Sequence, residues 1–181
     1  NHVAGLGNMG EFNAPNQMGQ PGYEGVLNQR VVTVASVLRN HGYHTYMAGK
    51  WHLGMKPDQI PHARGFERDF STLVGGGSHF NDGWNLEWQI PQMPYTEDGR
   101  PVKKLPKDFY SSKAYTDKTI QFIEEGRKDN KPFFAYMAFT APHGPLHVPD
   151  DWLRRYKNRY DEGWDGIRNQ RLARMQELGI V

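Results

Sequence analysis

Residues 42–54 read Gly-Tyr-His-Thr-Tyr-Met-Ala-Gly-Lys-Trp-His-Leu-Gly, and the reading of this stretch decides the fold. A helix-like run stops at Gly42, and a short half-buried run over residues 43–48 follows at once. That is the helix-to-strand half of an α/β unit. Gly49 then releases the backbone and delivers Lys50 and His52. If the backbone stays extended there, residues two apart share a side. A fixed cation and an imidazole then face one spot, while Trp51 packs the other way. Such a pair suits an anionic ester, with Lys50 as a point charge and His52 as hydrogen-bond donor or acid/base.

Working outward, Val34, Val37 and Leu38 recur at helical spacing within residues 31–40. Thr33 is the expected N-cap, and Gly42 fits the left-handed position after the last turn. His41 and His44 straddle that helix end, so their spacing does not make a shared metal face. They read as a helix-terminal His41 and a strand His44. A longer helix is expected over residues 110–127, capped by Ser111 or Ser112, with Tyr115, Thr119, Phe122 and Ile123 as its buried stripe. Pro132 then opens "FFAYMAF". This nearly continuous apolar run suits a central strand of a parallel sheet covered on both faces. The expected fold class is therefore α/β, a mostly parallel sheet with flanking helices and long loops.

The chain next enters "TAPHGPLHVP", whose Pro142, Pro145 and Pro149 stiffen an extended loop. His143 emerges just past the carboxyl end of that strand, the edge where open α/β sheets take ligands. Lys50 and His52 emerge beyond another strand end, so the three can converge. Residues 54–100 read mostly as loop, with a short strand at residues 70–74. Gly75, Gly76 and Gly77 permit a tight path or a close approach, and His79 just after them is a further candidate pocket residue. Trp84, Trp88 and Tyr95 are candidates for a substrate wall, against the plainer reading that they pack the loop. Residues 1–30 are turn-rich. The spacing of Gly5, Gly7 and Gly10 favours turns over a phosphate cradle.

The composition excludes several classes. A net charge of +2 over 181 residues does not argue for nucleic acid. No apolar run approaches the roughly 20 residues of a membrane helix. The chain has no Cys, so it holds neither disulfides nor thiolate metal sites. Residues 150–181 carry two helix-like segments, 151–159 and 166–178. Their Arg and Lys are offset by Asp and Glu, which reads as a solvated face.

Residues 33–54, "TVASVLRNHGYHTYMAGKWHLG", resemble the second signature of the sulfatase family. Residues 132–149, "PFFAYMAFTAPHGPLHVP", resemble its strand-plus-histidine segment. "PHARGFERDFS", "FYSSKAYTDK" and "YKNRYDEGWDGIRNQRLARMQELG" are similar to arylsulfatases of the bacterial type, so the likeness runs along nearly the whole chain. The resemblance implies a partial α/β/α sandwich of the alkaline phosphatase/sulfatase type, with residues 1–181 forming part of an N-terminal catalytic domain. It implies hydrolysis of a small-molecule sulfate ester. Lys50 binds the sulfate, His52 holds the formylglycine hydroxyl, and His143 contacts the sulfate or the ester oxygen; His79 is a lesser substrate-binding candidate. It also implies a formylglycine nucleophile and calcium or another divalent metal. Their Cys-x-Pro-Ser/Thr-Arg box and Asp/Asn ligands do not occur here. The opening at Asn1 matches family sequence just downstream of that box. The expectation is thus a segment that works with the remainder of a sulfatase polypeptide and is inactive alone. Alternatives are a phosphonate monoester hydrolase or phosphatase of the same superfamily, and a non-catalytic anion-binding relative.

Overall fold

The computed structural model describes residues 6–7, 13–87 and 89–181. Gly5, Gly10 and Trp88, singled out above, lie outside them. The chain divides into two units, Asn1–His147 and Val148–Val181.

The first unit is built on one sheet. Helix α1 (Val34–Asn40) begins where Thr33 accepts a hydrogen bond from the Ser36 amide, and Gly42 takes the expected left-handed conformation. Strand β1 (His44–Lys50) follows directly. It pairs in parallel with β2 (Arg68–Thr72) on one side and with β5 (Phe133–Ala138) on the other. Two short strands, β3 (Tyr95–Glu97) and β4 (Arg100–Pro101), extend the sheet antiparallel, giving the order β4-β3-β2-β1-β5. Helix α2 (Ser111–Gly126) connects this part of the sheet to β5.

Period-2 alternation along β1 separates two apolar clusters. Tyr46 and Ala48 join Phe70, Tyr95, Phe109, Tyr115 and Phe122 on the α2 face. Met47 and Trp51 join Ala35, Ile60, Phe66 and Leu73 on the α1 face. Strand β1 is therefore buried on both faces over residues 45–49, with β2 and β5 on its two sides. Among the described residues β5 pairs on one side only, with β1, and Phe133 and Tyr136 are about half exposed at 50% and 47%. A continuous apolar run records that side chains avoid water, but not which neighbour covers them.

Helix α2 buries Tyr115, Thr119 and Phe122 as its period requires, but no side chain caps it. The Ser111 amide, one of the donors a helix start leaves unpaired, donates instead to the His79 carbonyl at 2.9 Å. The stripe expected on α1 differs more. Ala35 is its buried residue, whereas Val34 and Val37 are exposed. Tyr95 belongs to the core, its hydroxyl 3.3 Å from that of Tyr115, and so forms no substrate wall.

The second unit holds α3 (Asp150–Arg154) and α4 (Gly163–Glu177). Both are solvated: pairs such as Arg168–Asp165 at 3.2 Å lie on the surface, and no residue of either helix is buried.

Candidate active site

Three parallel strands end together. In the sheet register Lys50 lies beside Thr72, and Gly49 beside both Ser71 and Ala138. The loops leaving β1, β2 and β5 therefore start at one edge, and they carry His52, the Gly75–Gly77 glycines and His143 respectively. Gly49 makes this close pairing possible. Its φ is 127°, and a Cβ there would sit 1.9 Å from the Ala138 carbonyl oxygen. Only glycine combines that conformation with that approach.

Beyond Lys50 the strand does not simply continue. The Trp51 amide still donates to the Thr72 carbonyl at 2.9 Å, and the buried indole donates through Nε1 to the Gln59 carbonyl at 2.9 Å. Trp51 thus packs into the apolar cluster on the α1 face. His52, however, adopts φ 54°, so the chain turns out of the strand at that residue. The extended-backbone argument for pairing it with Lys50 fails at that step; the placement of His52 comes from its packing partner.

That partner is the glycine tract. A Cβ on Gly75 would lie 2.8 Å from Cε1 and 3.0 Å from Nε2 of His52. A Cβ on Gly76 would lie 3.0 Å from Nδ1 of His143 and 2.8 Å from Cδ1 of Leu86. The two imidazoles therefore rest on consecutive glycines, and any side chain at either position displaces a ring. Gly77 is crowded too, with Met93 Sδ 2.5 Å from its Cβ position. The tract runs antiparallel to residues 84–86: the Leu86 amide donates to the Gly76 carbonyl at 3.1 Å, and the Ser78 amide to the Trp84 carbonyl at 2.8 Å. Asp82 closes the turn by accepting from Ser78 Oγ at 2.8 Å and from the Trp84 amide at 3.0 Å. Trp84 and Leu86 stand about half exposed on this hairpin. The glycines do bring about a close approach, and the approaching groups are the protein's own histidines.

His143 is exposed, while Lys50 and His52 are half-buried. The His143 amide donates to the Thr140 carbonyl at 3.0 Å, which fixes the backbone, and its Nδ1 lies 2.8 Å from the Gly144 carbonyl oxygen. A carbonyl only accepts, so Nδ1 carries a proton. Nε2 then holds the lone pair of the neutral ring or the second proton of the charged one.

His79 has a different environment. Its side chain is 1% exposed, and Nδ1 lies 2.7 Å from Ser111 Oγ. Burial holds the His79 imidazole below the usual histidine range. The ring is enclosed by protein and presents no surface to a ligand. Neither this burial nor the turn at His52 has a local sequence signal.

Among the described residues no group of three or more His, Cys, Asp or Glu side chains is arranged to hold a metal ion. Asp150 and Asp151 are exposed on α3, Asp151 paired with Arg154, and His44 is engaged by Glu67 and Asp129. The residues described here therefore do not fit the divalent metal implied by the resemblance.

A mostly parallel α/β sheet that gathers Lys50, His52 and His143 at its carboxyl edge defines the class, since this is the edge where such sheets take ligands. A family model for Sulfatase matches residues 8–178, and the chain belongs to the sulfatase family. It is 44% identical over 182 residues to the arylsulfatase of Klebsiella aerogenes, covering 100% of this chain and 38% of that relative. It is 43% identical over 189 residues to an uncharacterized sulfatase of Schizosaccharomyces pombe, covering 100% of this chain and 34% of the relative. Among solved structures it is similar to Ps i-CgsB in complex with k-i-k-neocarrahexaose, at 26% identity and TM-score 0.64, over 74% of this chain and 31% of that one. It is also similar to BT4656 in complex with its substrate D-glucosamine-2-N, 6-O-disulfate, at 28% identity and TM-score 0.52, over 74% of this chain and 23% of that one. The chain thus spans little more than a third of the length of these curated relatives.

Proposed function

We propose that these residues supply the anion-binding and proton-transfer groups of an arylsulfatase-type sulfuric ester hydrolase acting on a small-molecule sulfate ester. The observation that carries this reading is the seating of His52 and His143 on consecutive glycines, at the strand edge that also presents Lys50. A sulfate monoester spreads negative charge over its oxygens. A preorganised lysine and two imidazoles stabilise that charge as it shifts in the transition state.

In this reading Lys50 binds the sulfate as a fixed point charge. His52 receives and returns the proton of the attacking hydroxyl. His143, with Nδ1–H tied to the Gly144 carbonyl, presents Nε2 to the ester oxygen and in its charged form gives the departing alkoxide or phenoxide a proton. The family resemblance also calls for formylglycine and calcium. The 181 residues contain no Cys, and the described ones hold no metal cluster. Both groups therefore come from outside these residues in this reading, and the steps assigned here belong to Lys50, His52 and His143.

The test is sulfate release from an aryl sulfate, with an aryl phosphonate monoester alongside. The intact protein favours the sulfate, and Lys50→Ala lowers kcat/KM by about 100-fold or more. Preference for the phosphonate, or an unaffected Lys50→Ala variant, overturns the assignment.

A further inference from the structure

Lys50, His52 and His143 account for the sulfate and the ester oxygen, but not for what that oxygen carries on its other side. In the proposed reaction His143 stands at the ester oxygen. Side chains beside the His143 ring therefore meet the leaving group rather than the sulfate. Leu86 is one of them. The point where a Gly76 Cβ would stand lies 2.8 Å from Cδ1 of Leu86, 3.0 Å from Nδ1 of His143 and 3.1 Å from its Cε1. A leucine methyl and the imidazole thus rest against the same glycine.

Leu86 does not stand alone. Gly77 and Asn85 form an antiparallel bridge, flanked by the hydrogen bonds from the Leu86 amide to Gly76 and from the Ser78 amide to Trp84. Asn85 is extended in that bridge, so Trp84 and Leu86, two residues apart, project from one face of the arm. Asn85 projects the other way and is spent on the turn that follows. Its Nδ2 donates to the Ile90 carbonyl at 3.0 Å, and its Oδ1 accepts from the Glu87 amide at 2.9 Å. The arm is braced at its start as well, by Asp82 and by the Met93 amide, which donates to the Gly83 carbonyl at 2.9 Å. A pinned backbone therefore presents two large, half-exposed apolar side chains on one face, and turns its one polar side chain away from it.

Single exposed apolar side chains are ordinary on a protein surface. Two on one face of a braced arm, one of them against the same glycine as a reacting imidazole, make a surface of defined chemistry. It offers an alkyl edge and an aromatic plane. A polyhydroxylated leaving group would lose water there without gaining hydrogen bonds from the arm. An aromatic ring gains contact with both side chains.

We propose that Trp84 and Leu86 form the leaving-group face of the site. They receive the aromatic ring of an aryl sulfate, with Leu86 on the His143 side, and so favour esters of phenols over esters of sugar hydroxyls. This rests on the sulfuric ester hydrolase reading, because that reading places the ester oxygen at His143.

The test varies apolar area at constant leaving-group acidity, with a phenyl and a naphthyl sulfate chosen so that their phenols are equally acidic. The intact protein is expected to favour the naphthyl ester by about 10-fold in kcat/KM, the scale on which a hydrophobic pocket discriminates small apolar increments. Leu86→Asn, close in volume but polar, removes most of that preference, and Trp84→Ala removes part of it. Inhibition by inorganic sulfate, which has no leaving group, stays the same in both variants. Equal rates on the two esters in the intact protein, or a preference that survives both substitutions, overturns the proposal. So does a variant that weakens sulfate as much as it weakens the naphthyl ester, since the residue then acts on the whole site. Binding of 2-naphthol provides an arm that needs no turnover. It is expected to shift the Leu86 methyl NMR signals and to weaken by about 10-fold in Leu86→Asn. Naphthol that leaves those methyls unmoved overturns the proposal. Should naphthol bind against Leu86 while the intact protein hydrolyses no sulfate ester, the functional reading fails and the apolar face stands.

Discussion

The two ends of β1 each carry a histidine, and the sheet treats them in opposite ways. At the amino end, His44 is clamped between carboxylates, with Nδ1 2.7 Å from Glu67 and Nε2 3.0 Å from Asp129, and its ring stacks on Tyr46. At the carboxyl end, His52 and, after β5, His143 are placed by the absence of side chains on Gly75 and Gly76. Charge pairing favours the charged form of an imidazole and engages both ring nitrogens. Glycine seating sets a ring's position by shape instead of by charge. One edge is held by charge pairing, and the other is the edge to which the proposed function assigns the sulfate ester.

Several substitutions break or sharpen that contrast. The largest effect is expected at Gly49, which lets β1 and β5 pair beside the site. Gly49→Ala places a Cβ 1.9 Å from the Ala138 oxygen in a backbone of φ 127°. It is expected to cost about 3 kcal/mol of stability by denaturant titration, because neither contact is a side chain that can move aside. Gly76→Ala comes next and acts on a different quantity. The atoms nearest its Cβ position belong to the Leu86 and His143 side chains, and Gly76 is not in the left-handed region. Stability should fall by no more than about 1 kcal/mol, while kcat/KM on an aryl sulfate falls by about 100-fold through displacement of His143. Equal losses of stability at Gly49 and Gly76 would erase the distinction between scaffold and seat.

The amino edge should show itself in pH dependence. Hydrogen bonding to Glu67 raises the His44 pKa above its ordinary value. Its contribution is therefore complete below about pH 6.5 and is lost as pH rises through the folded-state value. Asp129 is held well below the usual carboxylate range, chiefly by its hydrogen bond with His44. Its contribution is complete above about pH 4 and is lost as pH falls. The clamp is thus strongest between about pH 4 and 6.5, and His44→Gln should flatten the fall in melting temperature on moving from pH 6 to 8. The smallest effect belongs to the second unit. Arg168→Ala removes an exposed pair with Asp165 and should change stability by less than about 0.5 kcal/mol.

Much of the first unit is legible in the sequence because its signals are local. Thr33 before an apolar period, Gly42 after it, and Tyr115, Thr119 and Phe122 at helical spacing each specify a geometry within a few residues. The same holds for β1 and for the burial of Trp51. Whatever depends on closing a long loop is not legible. The apolar pattern of β5 suits a central strand, but which strands pair beside it is not written in that pattern, and among the described residues only β1 does. Gly75 and Gly76 announce close approach, yet the identity of the approaching groups, His52 and His143, is fixed by strand register some 25 and 70 residues away along the chain. His79 looks like a pocket residue beside a glycine turn and is instead buried against Ser111. Family likeness supplies what periodicity lacks here, since motif order carries long-range information that no single window holds.

The most direct test of the assembled carboxyl edge uses a series of aryl sulfates whose leaving phenols become progressively less acidic, comparing the intact protein with His143→Ala. With His143 giving its Nε2 proton to the departing oxygen, the variant's deficit in kcat/KM grows steadily as the phenol becomes a poorer leaving group. A deficit of the same size across the series, or none, would contradict the role assigned to His143 and the account of this edge as the place where the ester is cleaved.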